Sequence, residues 1–198
     1  MKKKIQQEQL KAITSGRIYG QPKKFYSAAP KKHIDIGSRI DGFISHLLVF
    51  RAVDVIDIRP MNSQIKNLSF IQDDATSLSN FKSDSIESIS TLHAAEHFGL
   101  GRYGDPIDPS SHIKFINSLK RTLARDGKLY FAVPCGQEKL YFNAHRVFNP
   151  YTILTLFGEL KLLEVSAVLD DGEFYENIDI DILAKQKFGC GLFEFTKI

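Results

Sequence analysis

Three acidic side chains stand directly after short apolar runs of the sequence that are typical of strands. Asp35, Asp57 and Asp73 or Asp74 close these runs in chain order. A carboxylate in such a place can accept hydrogen bonds from both hydroxyls of a ribose, and a carboxylate beside a backbone N–H can pair with the edge of an adenine. Gly37 follows the first acid, and its lack of a side chain lets the backbone lie against a ligand. These residues predict a cleft shaped for a nucleoside.

A second polar group follows the fourth predicted strand, Ser85–Leu92. His93, Glu96 and His97 come first, and His145 comes after the next strand. Histidine exchanges protons near neutral pH, so each of the three rings is a candidate general base, with Glu96 to orient it. The alternative for each ring is a structural part, in which it bonds a backbone carbonyl.

The same residues also fit a zinc-hydrolase pattern. On a helix, H-x-x-E-H places two imidazoles on one face and supplies a glutamate as the base of a metal-assisted hydrolysis. His93, Glu96 and His97 would then form the zinc site, and a third ligand would have to come from elsewhere. Against this, the pattern directly follows a strand, and Gly99 ends any helix after about one turn. Zinc hydrolysis is therefore only an alternative, and no metal is expected.

Alternating strands and helices must position these residues. Strands separated by helical stretches predict a mainly parallel sheet with helices on both faces. Such a sheet binds ligands outside the carboxyl ends of its strands, which is where the polar residues stand. The predicted strands cover 33–36, 53–57, 68–71, 85–92, 128–133, 160–169 and 190–196, and the predicted helices cover 40–51, a stretch beginning at Pro60, a stretch from Asp108–Pro109 to Asp126–Gly127, and 149–157.

The composition fits one domain preceded by a basic arm. The chain has 198 residues, of which 43% are hydrophobic and 25% charged, which excludes a disordered or collagen-like protein. Residues 1–32 hold nine Lys or Arg and a single acid, so we predict a basic arm over 1–32 and one domain over 33–198. The arm lacks the interleaved aromatic side chains of single-strand binders. A solvated arm is therefore favoured over one that touches an anionic membrane surface, and no nucleic acid partner is expected.

Missing motifs exclude several other classes. No apolar run is long enough for a membrane span, and two cysteines without a C-x-x-C spacing favour a cytoplasmic protein over a disulfide framework. The sequence has no G-x-x-x-x-G-K-[ST] phosphate loop, no G-x-G-x-x-G fingerprint and no G-x-S-x-G nucleophile turn.

Together the strand ends resemble those of the class I S-adenosylmethionine-dependent methyltransferases. That superfamily implies a Rossmann-like α/β sandwich with a seven-stranded, mainly parallel sheet in the order 3-2-1-4-5-7-6 and an antiparallel last strand. The matching segments are His33–Ser38, Val55–Asp57, Gln72–Ala75, Ser85–Phe98 and Asp126–Pro134. More narrowly, Gly37–Phe43, Glu96–Pro106 and Asn143–Phe148 look like an uncharacterised bacterial and nematode family of unknown function. Its bacterial members are often associated with surface-polysaccharide genes.

The resemblance implies a place for each end of S-adenosylmethionine. Asp35, Gly37 and Ser38 would line its methionine end, and Asp57 would hold the ribose. Asp74, with the Ala75 amide, would face the adenine, and Thr91, Leu92 and His93 would close the cleft. The chain departs from the usual first motif because Arg39 and Asp41 stand near the places of its further glycines. Arg39 would either meet the cofactor carboxylate or fill the pocket.

The expected function is methyl transfer to a glycan, a nucleotide sugar or another small acceptor. His97, His145 and Glu96 are the candidate catalytic residues, and the expected substrate contacts are Arg102, Tyr103, Asp105 and Arg146. The Gly99–Pro109 loop is then either a lid or simply an ordered connection. The altered glycine loop motivates a second hypothesis, a non-catalytic module that binds a glycan or a nucleotide.

Overall fold

A computed structural model describes residues 29–38, 40–61, 63–102 and 105–198, and for Asp41 it describes the backbone alone. The predictions made for Arg39, Tyr103 and most of the basic arm therefore fall outside the described residues. The strands are β1 His33–Ile36, β2 Val53–Asp57, β3 Leu68–Gln72, β4 Ile86–Leu92, β5 Leu123–Cys135, β6 Lys139–Tyr141, β7 His145–Val147, β8 Lys161–Val168, β9 Phe174–Tyr175 and β10 Gly189–Thr196.

The helices lie between these strands. None in the described part of the chain is long and apolar enough to cross a bilayer. They are α1 Ser45–Leu48, α2 Ser111–Thr122, α3 Pro150–Leu156 and α4 Ile180–Ala184, with a π-helical segment Ile40–Ile44 before α1 and a 3-10 turn Ala95–His97 after β4.

One sheet organises the fold, and its strands run in the order β3-β2-β1-β4-β5-β10-β8-β9. The strands from β3 to β5 are parallel, whereas β10 pairs antiparallel with both β5 and β8. The predicted order 3-2-1-4-5-7-6 is confirmed, since β10 and β8 take its last two places. The sequence did not predict the two-residue edge strand β9 or the separate β6–β7 hairpin, because strands of two or three residues carry too few side chains to show alternation.

The predicted helices near the first strands differ from the structure. The prediction over 40–51 is only partly right, because the chain leaves helical geometry at Gly42, where φ is −117° and ψ is −110°. The helix predicted to begin at Pro60 is wrong, since residues 58–61 and 63–67 form none. Ile58, Met61 and Ile65 have the spacing of one helix face, but all three side chains are exposed. The segment therefore buries no apolar face against the core that would hold it in a helix.

Helix α2 ends and β5 begins earlier than predicted. Thr122 is the last helical residue, and Leu123 already pairs with Ile86 of β4. The Asp126–Gly127 pair, which was expected to stop the helix, instead lies inside β5, where the register with β4 shifts. Asp126 adopts a φ of +59° there, a conformation that Asp tolerates better than most residues.

Apolar side chains cover both faces of the sheet, as the alternation of elements predicted. On one face, Phe115, Ile116 and Leu119 of α2 pack with Phe131 of β5 in the larger core. On the other face, a smaller cluster joins the segment around α1 to β2, β3 and β5, with the members Ile44, Leu47, Val53, Val55, Leu68 and Tyr130. The polar edge of the sheet thus stands between two apolar layers.

The loop after the 3-10 turn is fastened at both ends. Asp105 Oδ2 accepts hydrogen bonds from the amides of Gly99 and Gly101 at 3.0 and 3.3 Å. The Asp108 amide donates to the Gly99 carbonyl at 3.1 Å, and the Asp108 side chain binds Ser110 at the start of α2. These contacts favour the ordered connection over the lid.

Replacing Gly99 with alanine should destabilise the protein more than the same change at Gly172. Both glycines have positive φ, but a Cβ at Gly99 would lie 1.9 Å from the Asp108 carbonyl oxygen, whereas Gly172 has open space. Gly99→Ala should lower the free energy of unfolding by about 2–4 kcal/mol and Gly172→Ala by about 1 kcal/mol. Urea unfolding followed by circular dichroism measures both, and equal losses would contradict this account of the loop.

Candidate active site

The turn after β1 lies against the segment after β4. Gly37 adopts a φ of +77°, and its amide donates to the Ile56 carbonyl at 3.3 Å. A Cβ at Gly37 would come within 2.9 Å of the Ala94 Cβ. Glycine is therefore required here by packing against Ala94, whatever ligand the backbone meets.

Asp35 shapes this turn from inside the protein. It is fully buried; one carboxylate oxygen accepts the Ser38 amide at 3.0 Å and the other accepts the Ser38 hydroxyl at 2.9 Å. The Ser90 hydroxyl of β4 donates to the second oxygen as well. Burial raises the pKa of Asp35 to about 6, although the hydrogen bonds from Ser90 and Ser38 oppose the rise. Asp35 and Ser38, both predicted to line the methionine end of a cofactor, are thus bonded to each other.

A buried histidine continues this network along the sheet. The two ring nitrogens of His33 lie 2.8 Å from the Ser88 hydroxyl and 2.9 Å from the Ser90 hydroxyl. Burial and the nearby Arg51 charge lower the pKa of His33 to about 3, so the ring is neutral. Sequence analysis missed this hydrogen-bond network. Side chains alternate between the two faces of a strand, so His33 and Asp35 share one face, as do Ser88 and Ser90, and this alternation could have indicated the network.

The carboxylate that ends β2 is held by a neighbouring arginine. Asp57 Oδ1 accepts hydrogen bonds from the backbone amide and the Nε of Arg59, both at 2.9 Å, and Oδ2 accepts from Nη2 at 2.8 Å. Burial alone would raise the pKa of Asp57, but these bonds and the Arg59 charge outweigh it and lower the pKa. The Arg59 side chain is 68% exposed, so it can leave without disturbing the core.

The two acids after β3 have different parts. Buried Asp73 organises the loop by accepting from the amides of Asp74 and Asn80. Exposed Asp74 uses Oδ1 for Thr76, and its Oδ2 has no partner in the described part of the chain. The Ala75 N–H likewise has no acceptor among the described residues. An acceptor and a donor therefore stand side by side at the end of β3.

The segment after β4 supplies two of three titratable side chains that lie in a row, and Cys190 of β10 is the third. His93 Nδ1 donates to Glu96 Oε1 at 3.0 Å, and His93 Nε2 lies 3.2 Å from the Cys190 sulfur on β10. Glu96 is almost fully buried, and its Oε2 has no hydrogen-bond partner among the described residues. Burial would lower the pKa of His93, but Cys190 and Glu96 raise it well above the ordinary value. Since both ring nitrogens are engaged, His93 bonds protein groups at the place where cofactor binding was predicted.

Two further histidines extend the row toward the β6–β7 hairpin. His97 Nδ1 donates to the Ala144 carbonyl at 2.6 Å, and its Nε2 lies 3.9 Å from Glu96 Oε1. The His145 ring stands edge-on to His97, with the ring centres 6.4 Å apart, and its buried Nε2 has no hydrogen-bond partner within the ranges that the structure describes. Burial and the His97 and Arg102 charges lower the pKa of His145, although Glu96 opposes this. The three residues predicted to be catalytic, Glu96, His97 and His145, are therefore neighbours.

The residues predicted to contact the substrate bind different parts of the protein. Arg146 donates to the Phe98 carbonyl at 2.7 Å and so ties the hairpin to the loop. Asp105 holds the loop amides described above, and Arg102 is exposed beside His145. Tyr103 lies outside the described residues. Of the described side chains in this group, Arg102 is the most exposed and therefore the most accessible to a substrate.

The zinc alternative finds no support in this geometry. The 3-10 turn covers only Ala95–His97, and His93 lies before it with a φ of +63°, so His93 and His97 do not stack on one face of an α-helix. Across the described residues, no group of three or more His, Cys, Asp or Glu side chains is arranged to hold a metal ion.

A family model matches more than half of the chain. It is described as "Caenorhabditis protein of unknown function, DUF268" and matches residues 47–185. This chain belongs to that family. No curated protein matches the sequence.

Solved structures similar to this DUF268 member share its fold. The 1,6-didemethyltoxoflavin-N1-methyltransferase of Burkholderia thailandensis, crystallised with S-adenosylhomocysteine, is 12% identical at a TM-score of 0.65, with 92% of this chain and 78% of that chain covered. The N-methyltransferase NodS of Bradyrhizobium japonicum WM9, also with S-adenosylhomocysteine, is 16% identical at 0.59, with 90% and 84% covered. The cyclase SpnF is 10% identical at 0.61, with 85% and 75% covered. The chain therefore has the class I methyltransferase fold, and the cyclase shows that this fold alone does not define the reaction.

Stability should fall as the pH rises through the titration of Asp35. The native pKa of about 6 lies above the ordinary value of 3.8, so between these values the native state binds more protons than the unfolded state. The contribution of Asp35 to the free energy of unfolding is therefore largest below pH 4 and falls by about 2 kcal/mol as the pH rises to about 6. Asp35→Asn should lose this part of the pH dependence, as measured by urea unfolding from pH 4 to 7. The account fails if the wild type and Asp35→Asn show parallel stability profiles.

Proposed function

We propose that this protein transfers a methyl group from S-adenosylmethionine to a small-molecule or glycan acceptor. The observation that carries the proposal is the alignment of three features at one edge of the sheet. These are the Gly37 turn after β1, the Asp57 carboxylate after β2, and the Asp74 carboxylate with the Ala75 N–H after β3. They stand in the order of the methionine, ribose and adenine parts of the cofactor.

The residues after β2 and β3 fit an adenosyl group. The adenine edge carries an amino donor beside a ring-nitrogen acceptor, and Asp74 Oδ2 and the Ala75 N–H supply the matching acceptor and donor. The two oxygens of Asp57 match the two ribose hydroxyls once Arg59 has moved aside. At the methionine end, Asp35 and Ser38 would act by holding the turn, with Gly37 as the part of it nearest the ligand.

The residues after β4 would act on the methyl acceptor. When bound, S-adenosylmethionine supplies the methyl group and its own leaving group, so the protein must align the acceptor and take up its proton. In the described part of the chain, Glu96 Oε2 and His145 Nε2 are buried and have no hydrogen-bond partner. The lowered pKa of His145 keeps its ring neutral at neutral pH, with a lone pair to accept the proton. His97 lies between the two groups and keeps the hairpin turn in place through Ala144.

The acceptor is proposed to be a glycan or a nucleotide sugar. One support is the resemblance to a family whose bacterial members are associated with surface-polysaccharide genes. The other is the hairpin beside His145, where Tyr141 is 40% and Phe142 is 80% exposed. Flat aromatic faces of this kind suit the apolar face of a sugar ring, and Arg102 suits a phosphate. The non-catalytic binding module is a second candidate. It is favoured by the hydrogen bonds from Arg59 to both oxygens of Asp57, because these occupy the atoms that a cofactor ribose would need.

S-adenosylhomocysteine should stabilise the protein, and Asp57→Ala should remove the effect. A ligand that binds only the native state at 100 times its dissociation constant adds about 2.7 kcal/mol, which raises the melting temperature by several degrees. Asp84→Ala is the matched control, since Asp84 is an exposed acid paired with Lys197 away from these strand ends. Scanning fluorimetry reports the melting temperatures. If millimolar S-adenosylhomocysteine leaves the wild-type melting temperature unchanged, the methyltransferase proposal is refuted and the binding module is favoured.

Arg59→Ala should tighten the binding of S-adenosylhomocysteine. The Arg59 guanidinium competes with the ribose for Asp57, and an exposed pair of this kind is worth about 1 kcal/mol, so its removal should improve the dissociation constant about fivefold. Lys32→Ala is the control, because Lys32 is an exposed cation on Asp54 of the same strand. Isothermal titration calorimetry measures the constants, and unchanged or weaker binding by Arg59→Ala would contradict the competition.

A further inference from the structure

The row Cys190–His93–Glu96 contains one residue that no motif of the site explains. Cys190 lies on β10, and its side chain faces the same side of the sheet as Ala132 and Leu192, in a small apolar cluster. Packing alone would be served by any small apolar residue there. A thiol adds a hydrogen-bonding sulfur, and that sulfur lies 3.2 Å from His93 Nε2.

His93 is held in an unfavourable backbone conformation. Its φ is +63°, in the left-handed region that is strained for a residue with a side chain. Three contacts hold the residue there: its amide donates to the Ala132 carbonyl at 2.9 Å, Nδ1 binds Glu96 and Nε2 meets Cys190. The side chain is 19% exposed, so part of the ring reaches the surface.

Among the residues that the structure describes, His93 is the one hydrogen-bond partner of the Glu96 carboxylate. A carboxylate that is 2% exposed loses most of its hydration, and this loss is costly unless a charged or polar donor compensates for it. His93 Nδ1 at 3.0 Å is that donor, whereas His97 Nε2 at 3.9 Å is beyond hydrogen-bond distance. Oε1 is thereby fixed, and Oε2 is left without a partner from the described residues.

We infer that Cys190 is a positioning residue, which fixes the His93 ring so that the ring holds the Glu96 carboxylate with Oε2 available to the methyl acceptor. The thiol is fully buried, so it acts through His93 and does not itself touch the substrate. The groups that face His93 are Cys190 from β10 and Glu96 from its own turn. The inference rests on the proposed function for the meaning of Oε2. It also implies that the acceptor group carries a hydrogen that a carboxylate can accept, as a hydroxyl or an amine does.

The second cysteine provides a matched control. Cys135 is as fully buried as Cys190, but it faces the other side of the sheet, where its sulfur lies against Gly191. Burial raises the pKa of Cys135 well above the ordinary value. In the described residues, its sulfur contacts no imidazole. Removing either sulfur thus empties a similar volume, and only one removal takes a partner from His93.

Nitrogen-15 spectroscopy of the histidine rings in the full-length protein tests the inference without a cofactor or an acceptor. In the wild type both nitrogens of His93 should stay protonated through neutral pH, because Cys190 and Glu96 favour the charged ring. Cys190→Ala should lower the His93 titration midpoint by about one pH unit or more. Cys190→Ser should recover part of this change, and Cys135→Ala should leave the midpoint unmoved. The carboxyl carbon-13 signal of Glu96 should move in Cys190→Ala and stay in Cys135→Ala.

Two results would overturn the inference. One is a His93 titration in Cys190→Ala that matches the wild type, and the other is an equal change in Cys135→Ala, which would indicate a loss of packing alone. If Cys190→Ala does not fold, Cys190→Ser tests the inference. The serine hydroxyl is shorter than the thiol, so the substitution must still change the nitrogen-15 shifts of His93. Scanning fluorimetry of Cys190→Ser with S-adenosylhomocysteine separates this inference from the proposed function, because cofactor binding should survive the substitution.

Discussion

The register between β1 and β4 is the constraint on which the polar edge of the sheet depends. Asp35 pairs with Ser90 across these parallel strands, and this pairing brings the Ser90 hydroxyl to a carboxylate that has no access to water. A shift of one residue would turn Ser90 to the opposite face and leave Asp35 without this donor. The same register also places the segment after β4, with Ala94 against Gly37. Local geometry at both halves of the site therefore follows from one strand pairing.

The site contains two kinds of polar contact, which differ in how readily a ligand can replace them. Asp35 and Glu96 are buried, and removing their donors would leave a carboxylate with neither water nor a partner, at a cost of several kcal/mol. The contact between Asp57 and Arg59 is different, because the guanidinium side chain is mostly exposed and water can replace it. Buried acids thus fix the shape of the turns, while the exposed pair exchanges its partner at small cost. This division suits a nucleoside site that must stay rigid and yet open to its ligand.

Sequence reasoning succeeded where a residue type has one physical use in the fold. The strands β1 and β2 were predicted to the residue, because short β-branched runs between loops have few other interpretations. It succeeded less well where partners come from distant parts of the chain. Nothing near Cys190 in the sequence indicates His93, which is 97 residues away. Arg59 was overlooked for another reason: an arginine two residues after an acid does not show whether it pairs with that acid or points into water.

The segment 93–97 joins the two halves of the site through contacts in three directions. Ala94 packs against the turn at Gly37, His93 reaches β10 through Cys190, and His97 holds the hairpin through the Ala144 carbonyl. A short 3-10 turn has few hydrogen bonds of its own, so these outside contacts fix its geometry. A ligand that moves the Gly37 turn must then also move Ala94, and with it His93 and His97 of the same segment. In the proposed methyl transfer, this segment would align the acceptor with the cofactor, because the same few residues contact both halves of the site.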